Sequence, residues 1–268
     1  VFAFALLAVT VVALLTLAEL LFGGSLGGDR LVNITIWIVR RVLAFAFMPG
    51  VALYFPFSLI DGVTLPFAAA FAIYFVAMDL GEYLFHRAQH TIPWLWKLHA
   101  LHHSDPDMNA TTTERHFWGD QFLKAVTIYP AAVLLIQPTP VVLLAYILVT
   151  QWNFVAHARL PWSFGQLSWA LNSPAYHRRH HSSLPEHYNS NFAAILPIWD
   201  LLLGSYHVPQ GNMPPTGLGG KPPTALDVFA WPLRPGAGTR RRSKAAVAAA
   251  AGDTNGDLKL VHTPVVVE

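Results

Sequence analysis

His86-Arg87-Ala88-Gln89-His90, His99-Ala100-Leu101-His102-His103 and His177-Arg178-Arg179-His180-His181 are the stretches on which the reading of this chain turns. On a helix, residues three and four apart share a face, so HxxxH aims two imidazoles at one point and HxxHH aims three. Eleven of the 13 histidines lie between His86 and His187, and His157 closes the run Asn153-Phe154-Val155-Ala156-His157. A single histidine is ordinarily a hydrogen-bonded polar residue. Two HxxHH boxes at this histidine content would arise by chance in well under about 0.1% of such chains, so the pattern is read as metal ligation. His207 and His262 stand outside the boxes.

The rest of the composition narrows the metal. The 268 residues contain no cysteine, which excludes disulfide frameworks, thiolate zinc sites, iron–sulfur clusters and cysteine nucleophiles. Neutral imidazole suits zinc, copper, iron and nickel. A structural zinc takes four ligands, whereas nine patterned histidines (His86, His90, His99, His102, His103, His157, His177, His180, His181) fit two metals with four or five nitrogens each. No HExxH motif supplies the general base of a hydrolytic zinc site. Two imidazole-held metals beside a bilayer point to oxygen activation and attack on an apolar molecule. A net charge of +2 gives no electrostatic case for nucleic acid as a partner.

Outward from the boxes the chain is apolar, with 54% hydrophobic and only 12% charged residues. Residues 1–22, Val42–Ile60 and Phe67–Phe85 read as membrane spans, and Phe122–Val155 as a helical hairpin broken at Gln137-Pro138-Thr139-Pro140. The first stretch lacks the basic start of a signal peptide and its apolar run is longer than one needs. Arg30, Arg40 and Arg41, then Arg87, Lys97, Arg115 and Lys124, then Arg159, Arg178 and Arg179 fall on one face, which positive-inside reasoning makes cytoplasmic. The expected architecture is therefore all-α: four to five transmembrane helices with a cytoplasmic-face helical cap that carries the histidine boxes. Residues 1–221 form the membrane-embedded domain, and 222–268, rich in Pro, Gly and Ala, read as a disordered tail.

Asp79 through His90, then Pro93-Trp94-Leu95-Trp96-Lys97-Leu98 leading into His99–Ser104, resemble the fatty acid hydroxylase/sterol desaturase superfamily. So do Asn172-Ser173-Pro174-Ala175-Tyr176 before the third box, Asn191-Phe192, and Trp199-Asp200 with Gly204, the likeness covering about residues 30–207. It implies a membrane enzyme in which histidines hold two non-haem irons. Such an enzyme uses O2 and two external electrons to hydroxylate or desaturate a lipid or sterol chain. Where the family has Arg, one residue, then His-Pro, this chain has Arg115-His116-Phe117-Trp118, and Asn153 stands where some members carry a histidine. His116, Asn153 and His187 are accordingly read as metal or neighbouring ligands.

Metal-bound imidazoles hand their second nitrogen to a carboxylate or carbonyl. Asp79, two helical turns before His86, is expected to take that role, and Asp200 and Asn191 are candidates of the same kind, with a helix cap and a turn as their plainer readings. The Gly217–Lys221 stretch runs into Pro222-Pro223, so no phosphate-cradling helix follows and neither a nucleotide nor flavin is expected on this chain. Electrons must then come from a separate reductase or carrier. The substrate is expected to be an apolar lipid entering from the bilayer, with no charged pocket evident. A haem- or metal-binding electron carrier without oxygenase activity is the alternative; it calls for isolated histidines near mid-membrane.

Overall fold

In a computed structural model of the chain, residues 2–27, 29–52, 58–137, 139–209, 213–219 and 223–240 are described. Ten α-helices and five short 3-10 turns order these residues, and none of them lies in a strand. The helices are α1 (Phe2–Leu21), α2 (Arg30–Ala52), α3 (Phe67–Thr91), α4 (Pro93–His99), α5 (Asp120–Val126), α6 (Ile128–Leu135), α7 (Pro140–His157), α8 (Pro174–His180), α9 (Ile198–Leu203) and α10 (Ala225–Phe229).

The long helix α3 is the axis. It packs on α7, α4 and α6. Its apolar half contributes Ala70, Tyr74 and Met78 to a core with Ile128, Ala132, Ile136 and Ala145. Gly81 permits the close approach of α6, since a Cβ there would stand 3.2 Å from the Ile128 side chain. The helix then runs past its apolar half and carries His86 and His90 on its last turns. It stops because Ile92 is extended before Pro93, a residue that disfavours helix in its predecessor. Pro93 opens α4, where a missing N–H costs nothing, and α4 folds back on α3. That single break brings the second histidine box beside the first.

Among the described residues, α3 is the one helix long and apolar enough to cross a membrane, and Ala5–Leu21 is a shorter apolar stretch. On α1, Leu6, Leu14, Leu17 and Leu21 all face outward. Two expected spans are redrawn. The stretch expected at Val42–Ile60 belongs to a helix that starts at Arg30 and ends at Ala52; residues 53–57 lie outside the described part. Ser58–Ile60 are not helical and bond alongside α6, with Leu59 N donating to Leu134 O (2.7 Å) and Ile60 N to Leu135 O (2.9 Å). The three arginines expected in a cytoplasmic loop lie on α2 and are paired internally, Arg30 with Glu19 (2.6 Å), while Arg40 and Arg41 share Glu114 (2.7 and 2.6 Å). The first arm of the hairpin is two short helices, α5 and α6, parted at Thr127. Pro130 has no N–H with which to bond back across that junction.

The segment after Pro222 also departs from expectation. Val228 and Trp231 are buried in a cluster with Ile36, Ala100 and Leu101. Trp231 Nε1 donates to Lys97 O (2.9 Å), Trp118 Nε1 to Phe229 O (3.0 Å) and Trp96 Nε1 to Gly238 O (2.8 Å). Indole N–H groups seek acceptors, and these three bonds run between the segment and the rest of the fold in both directions, so residues 223–240 are a packed strap. Residues 241–268 lie outside the described part.

Buried polar pairs lock the helices together. Glu19, fully buried, accepts from Arg30 and from the backbone N–H groups of Ala110 (2.8 Å) and Arg159 (2.7 Å), joining α1, α2 and the loops after the second box and after α7. Asn33 on α2 donates to Asp105 (2.9 Å) and accepts from Arg115 (2.8 Å), whose Nε reaches Ser104 Oγ (2.9 Å) beside His103. Removing one member of such a pair leaves a buried charge and costs about 3–5 kcal/mol. Glu19→Ala is expected to lower unfolding stability by that order, measured by denaturant titration of the detergent-solubilised protein. A change under about 1 kcal/mol would contradict the role given to Glu19.

Candidate metal centre

The boxed histidines converge as two sets. His86, His90, His99, His103 and His180 form one and His102, His157, His177 and His181 the other, the ligand nitrogens of each lying within 4.8 Å of one another. The boxes are shared between the sets. His99 ends α4, and His102 and His103 lie in the following 3-10 turn, so the change of helix type sends His99 and His103 to one set and His102 to the other. In the third box, His180 ends α8 and joins the first set, while His177 and His181 join the second. Ser173 caps α8 by accepting from Tyr176 N (3.1 Å), and Pro174 fixes its first turn, which sets the direction of these three rings.

Inside the cage the imidazoles approach nitrogen to nitrogen. His90 Nε2 lies 3.1 Å from His103 Nε2, and His180 Nε2 lies 3.2 Å from His103 Nε2. His157 Nε2 stands 3.0 Å from both His102 Nε2 and His177 Nε2. The outer nitrogens are held by carbonyls: His86 Nδ1 by Phe192 O (2.8 Å), His180 Nδ1 by Ser190 O (2.7 Å) and His157 Nδ1 by Asn153 O (2.7 Å). A carbonyl can only accept, so each of these rings carries its proton on Nδ1 and turns the Nε2 lone pair inward. His86 Nε2, His181 Nε2 and both nitrogens of His99 are buried without a hydrogen-bond partner among the described residues. Converging, unpaired imidazole nitrogens are what a cation would satisfy.

Burial, followed by the neighbouring imidazoles, pushes His99, His102, His103, His177 and His181 well below their ordinary pKa; for His180 the bond to Ser190 O partly opposes the same effect. They are neutral at pH 7, the form that ligates metal.

The carboxylates act one step further out than expected. Asp79 does not bond an imidazole. It accepts from Ile195 N (2.8 Å), Leu196 N (3.1 Å) and Trp199 Nε1 (2.8 Å). Asp200 accepts from Phe192 N (2.9 Å), Ala193 N (2.8 Å), Ser205 Oγ (2.6 Å) and the Tyr176 hydroxyl. Burial raises the Asp200 carboxyl against the pull of these donors. Asn191, in the left-handed region at φ +57°, accepts from His207 N (2.7 Å) and donates to His207 O (2.9 Å) and Tyr176 O (3.3 Å). Asn172 donates to Ala193 O and Ala194 O, both at 2.9 Å. Together these side chains fix the 190–196 loop, whose Ser190 and Phe192 carbonyls orient His180 and His86. The reason is geometric: an unpaired loop amide in this buried place needs an acceptor, and a carboxylate serves several at once.

His116 and His187 fall outside both sets. His116 stacks on His102 with ring centroids 4.1 Å apart and faces Asp120 at 3.4 Å. The Asn153 side chain donates to Val149 O (3.3 Å), and its carbonyl serves His157. His187 is buried at the end of a 3-10 turn, its pKa pushed down to about 4 by burial with Arg179 and His207 nearby.

A cleft partly open to the outside runs along the cage past His86, His99, His102, His116, His157 and His177. Its other wall corrects the expectation of no charged pocket. Arg41, Glu82, Glu114 and Lys124 line it, with Gln121, Tyr129, Tyr146 and Gln151. The charges are paired, Lys124 with Glu82 (2.7 Å) and Arg41 with Glu114 (2.6 Å). Burial would raise the Glu114 carboxyl, but Arg40 and Arg41 outweigh it and hold the group below its ordinary range. The partners of each pair come from separate elements, Glu82 on α3 with Lys124 on α5 and Arg41 on α2 with Glu114, so the pairing carries no local motif.

The neutral cage has a consequence for stability. Unfolded imidazoles titrate near about pH 6.5. Above that value both states are neutral and stability is flat; below it the unfolded chain takes up protons that the folded cage refuses, and stability falls with pH. The metal-free protein is expected to melt several degrees lower at about pH 5.5 than at about pH 7.5, followed by circular dichroism; an unchanged midpoint would contradict a neutral, buried cage.

The family model for fatty acid hydroxylase matches residues 71–205, the region that holds all nine boxed histidines. An alkylglycerol monooxygenase of Xenopus tropicalis is 35% identical over 136 residues, 51% of this chain and 30% of that protein. An ornithine lipid hydroxylase of Rhizobium tropici is 32% identical over 144 residues, 54% of this chain and 44% of that protein. A methylsterol monooxygenase of Aspergillus fumigatus is 27% identical over 180 residues, 62% of this chain and 58% of that protein. The aligned part thus spans 30% to 58% of these relatives' own lengths. No solved structure matches the chain. Cage, boxes and matched region coincide, and the chain belongs to the fatty acid hydroxylase family.

Proposed function

We propose that this chain is a membrane-bound oxygenase that holds two irons in the histidine cage and hydroxylates a lipid or sterol-like substrate. The observation that carries this reading is the grouping of nine neutral imidazoles into sets of five and four with inward nitrogens. Its relatives' names, alkylglycerol monooxygenase, ornithine lipid hydroxylase and methylsterol monooxygenase, support it. Imidazole also takes zinc, which it binds more tightly than ferrous iron, so the choice of iron rests on the family.

Bound iron would supply O2 activation and the oxidising power for a C–H bond. The reaction balances as substrate C–H, O2, two electrons and two protons giving the alcohol and water. This chain's part is ligation, orientation and exclusion. His86, His90, His99, His103 and His180 would hold one ion and His102, His157, His177 and His181 the other. Asp79, Asp200, Asn172 and Asn191 fix the loop that orients two of the rings. Electrons come from a separate reductase or carrier, since the sequence offers no nucleotide fold and no thiolate cluster. The bilayer supplies the substrate, and the chain is oriented with its cage toward the cytoplasm; the outward leucines of α1 and the length of α3 support membrane residence. The haem alternative finds little support, because neighbouring imidazoles such as His90 and His103 or His157 and His177 stand with ring centroids 4.7 and 4.2 Å apart. That spacing leaves no slot for a macrocycle.

The test is untargeted lipidomics of cells producing the wild-type chain or single variants. Wild type is expected to give lipids heavier by one oxygen. His99→Ala, His103→Ala, His177→Ala and His181→Ala are expected to abolish the product while still inserting, and His207→Ala to keep it. Product from His177→Ala at wild-type level would overturn the reading. Loss of two hydrogens without added oxygen would replace hydroxylation by desaturation.

A further inference from the structure

A second, smaller hollow also reaches the cage. Its walls include His103, His181, Ser182, Tyr188, Leu218 and Arg240. Neither of these histidines lines the cleft. His103 belongs to the set of five and His181 to the set of four, and their rings stack with centroids 4.2 Å apart. The hollow therefore borders a ligand of each ion site. Both rings are buried, whereas Tyr188 and Arg240 are partly exposed, so the outer wall is theirs.

Arg240 is held by its faces. Its guanidinium carbon lies 4.2 Å from the centroid of the Trp96 ring and 3.8 Å from that of the Tyr188 ring. Among the described residues no carboxylate pairs with it and no hydrogen bond reaches it. Ring faces hold a cation more weakly than a buried ion pair does, and they release it without stranding a carboxylate. The neighbouring backbone is closely fitted. Gly238 O accepts from Trp96 Nε1 (2.8 Å). At φ +84°, Gly238 has a conformation that side chains rarely adopt, and a Cβ there would stand 3.3 Å from that same nitrogen. Trp96 in turn lies on His90 and His103, with centroids 5.0 and 5.3 Å away. The end of the strap thus rests on a residue that touches the cage. Burial lowers the pKa of His90 and His180 most, and the Arg240 charge lowers both further. A positive charge fixed there also opposes the passage of another cation.

We propose that Arg240 latches the end of the strap over a second entrance to the cage, through which metal ions enter and leave. Stacked between Trp96 and Tyr188, Arg240 covers His103 and His181 and repels a cation in transit. Unlatched, it opens the hollow to both ion sites without disturbing the cleft, so metal loading and lipid binding use separate doors. The latch follows from the geometry of the strap, and the metal route rests on the metal-centre reading.

The experiment reads the full chain in lipid nanodiscs in two ways. In the metal-free protein, diethyl pyrocarbonate labels the imidazoles it can reach, and tandem mass spectrometry assigns a rate to each histidine. Arg240→Ala and Gly238→Val, which crowds Trp96, are expected to speed labelling of His103 and His181 at least about tenfold, with His177 in the cleft unchanged. Leu233→Ala, at an exposed strap position, is expected to change none of these rates. With zinc as the probe metal, the two latch variants are expected to lose it to excess chelator at least about tenfold faster than the wild type. Circular dichroism melting checks that the variants fold. Labelling of His103 and His181 at the wild-type rate in both latch variants, or an equal rise at every histidine, would overturn the latch. Faster labelling with unchanged zinc release would overturn the metal route. A wild-type chain that binds no zinc would overturn the metal-centre reading instead, and the labelling rates would still decide the latch.

Discussion

The structure depends on keeping nine imidazoles neutral, close together and correctly turned in the protein interior. Each ring brings two nitrogens that want partners. Turned at random, they would leave buried donors facing donors. Carbonyl acceptors on the outer side of His86, His157 and His180 remove that ambiguity, since a carbonyl admits only the N–H tautomer. The inner nitrogens then present lone pairs to a common centre. Most of what lies around the cage serves to hold those carbonyls still.

That dependence explains where the protein's buried charges sit. Asp79 and Asp200 lie on α3 and α9, yet both bond the same loop, and Asn172 bonds it from the loop before α8. Trp199 and Tyr176 close the arrangement by donating to the same two carboxylates. A second group, built on Glu19, Asn33 and Arg115, ties α1 and α2 to the loop after the second box. Both groups put ions into low-dielectric surroundings, which is tolerable because the Asp79, Asp200 and Glu19 carboxylates each meet three or more donors.

The cage was legible in sequence because ligand spacing is a local property. HxxxH and HxxHH declare themselves within five residues, and the break at Ile92-Pro93 that brings two boxes together is also local. The role of Asp79 was not legible in the same way. Its place two turns before His86 suggested an imidazole partner, but its actual partners come from residues 195–199, and backbone amides leave no mark in a sequence. The second span was misplaced because Arg30, Arg40 and Arg41 were counted as loop charges, whereas each has a distant carboxylate inside the fold. The segment after Pro222 read as a tail by composition, yet three indoles draw it onto the core. The paired charges of the cleft are non-local for the same reason, Lys124 meeting Glu82 and Arg41 meeting Glu114.

The central claim is that the two imidazole sets are two ion sites, and anaerobic titration of the metal-free protein with ferrous iron tests it most directly. The account expects saturation at two irons per chain for the wild type and one for His90→Ala or His157→Ala, each of which cripples a different set. Saturation of the wild type at a single iron would contradict it.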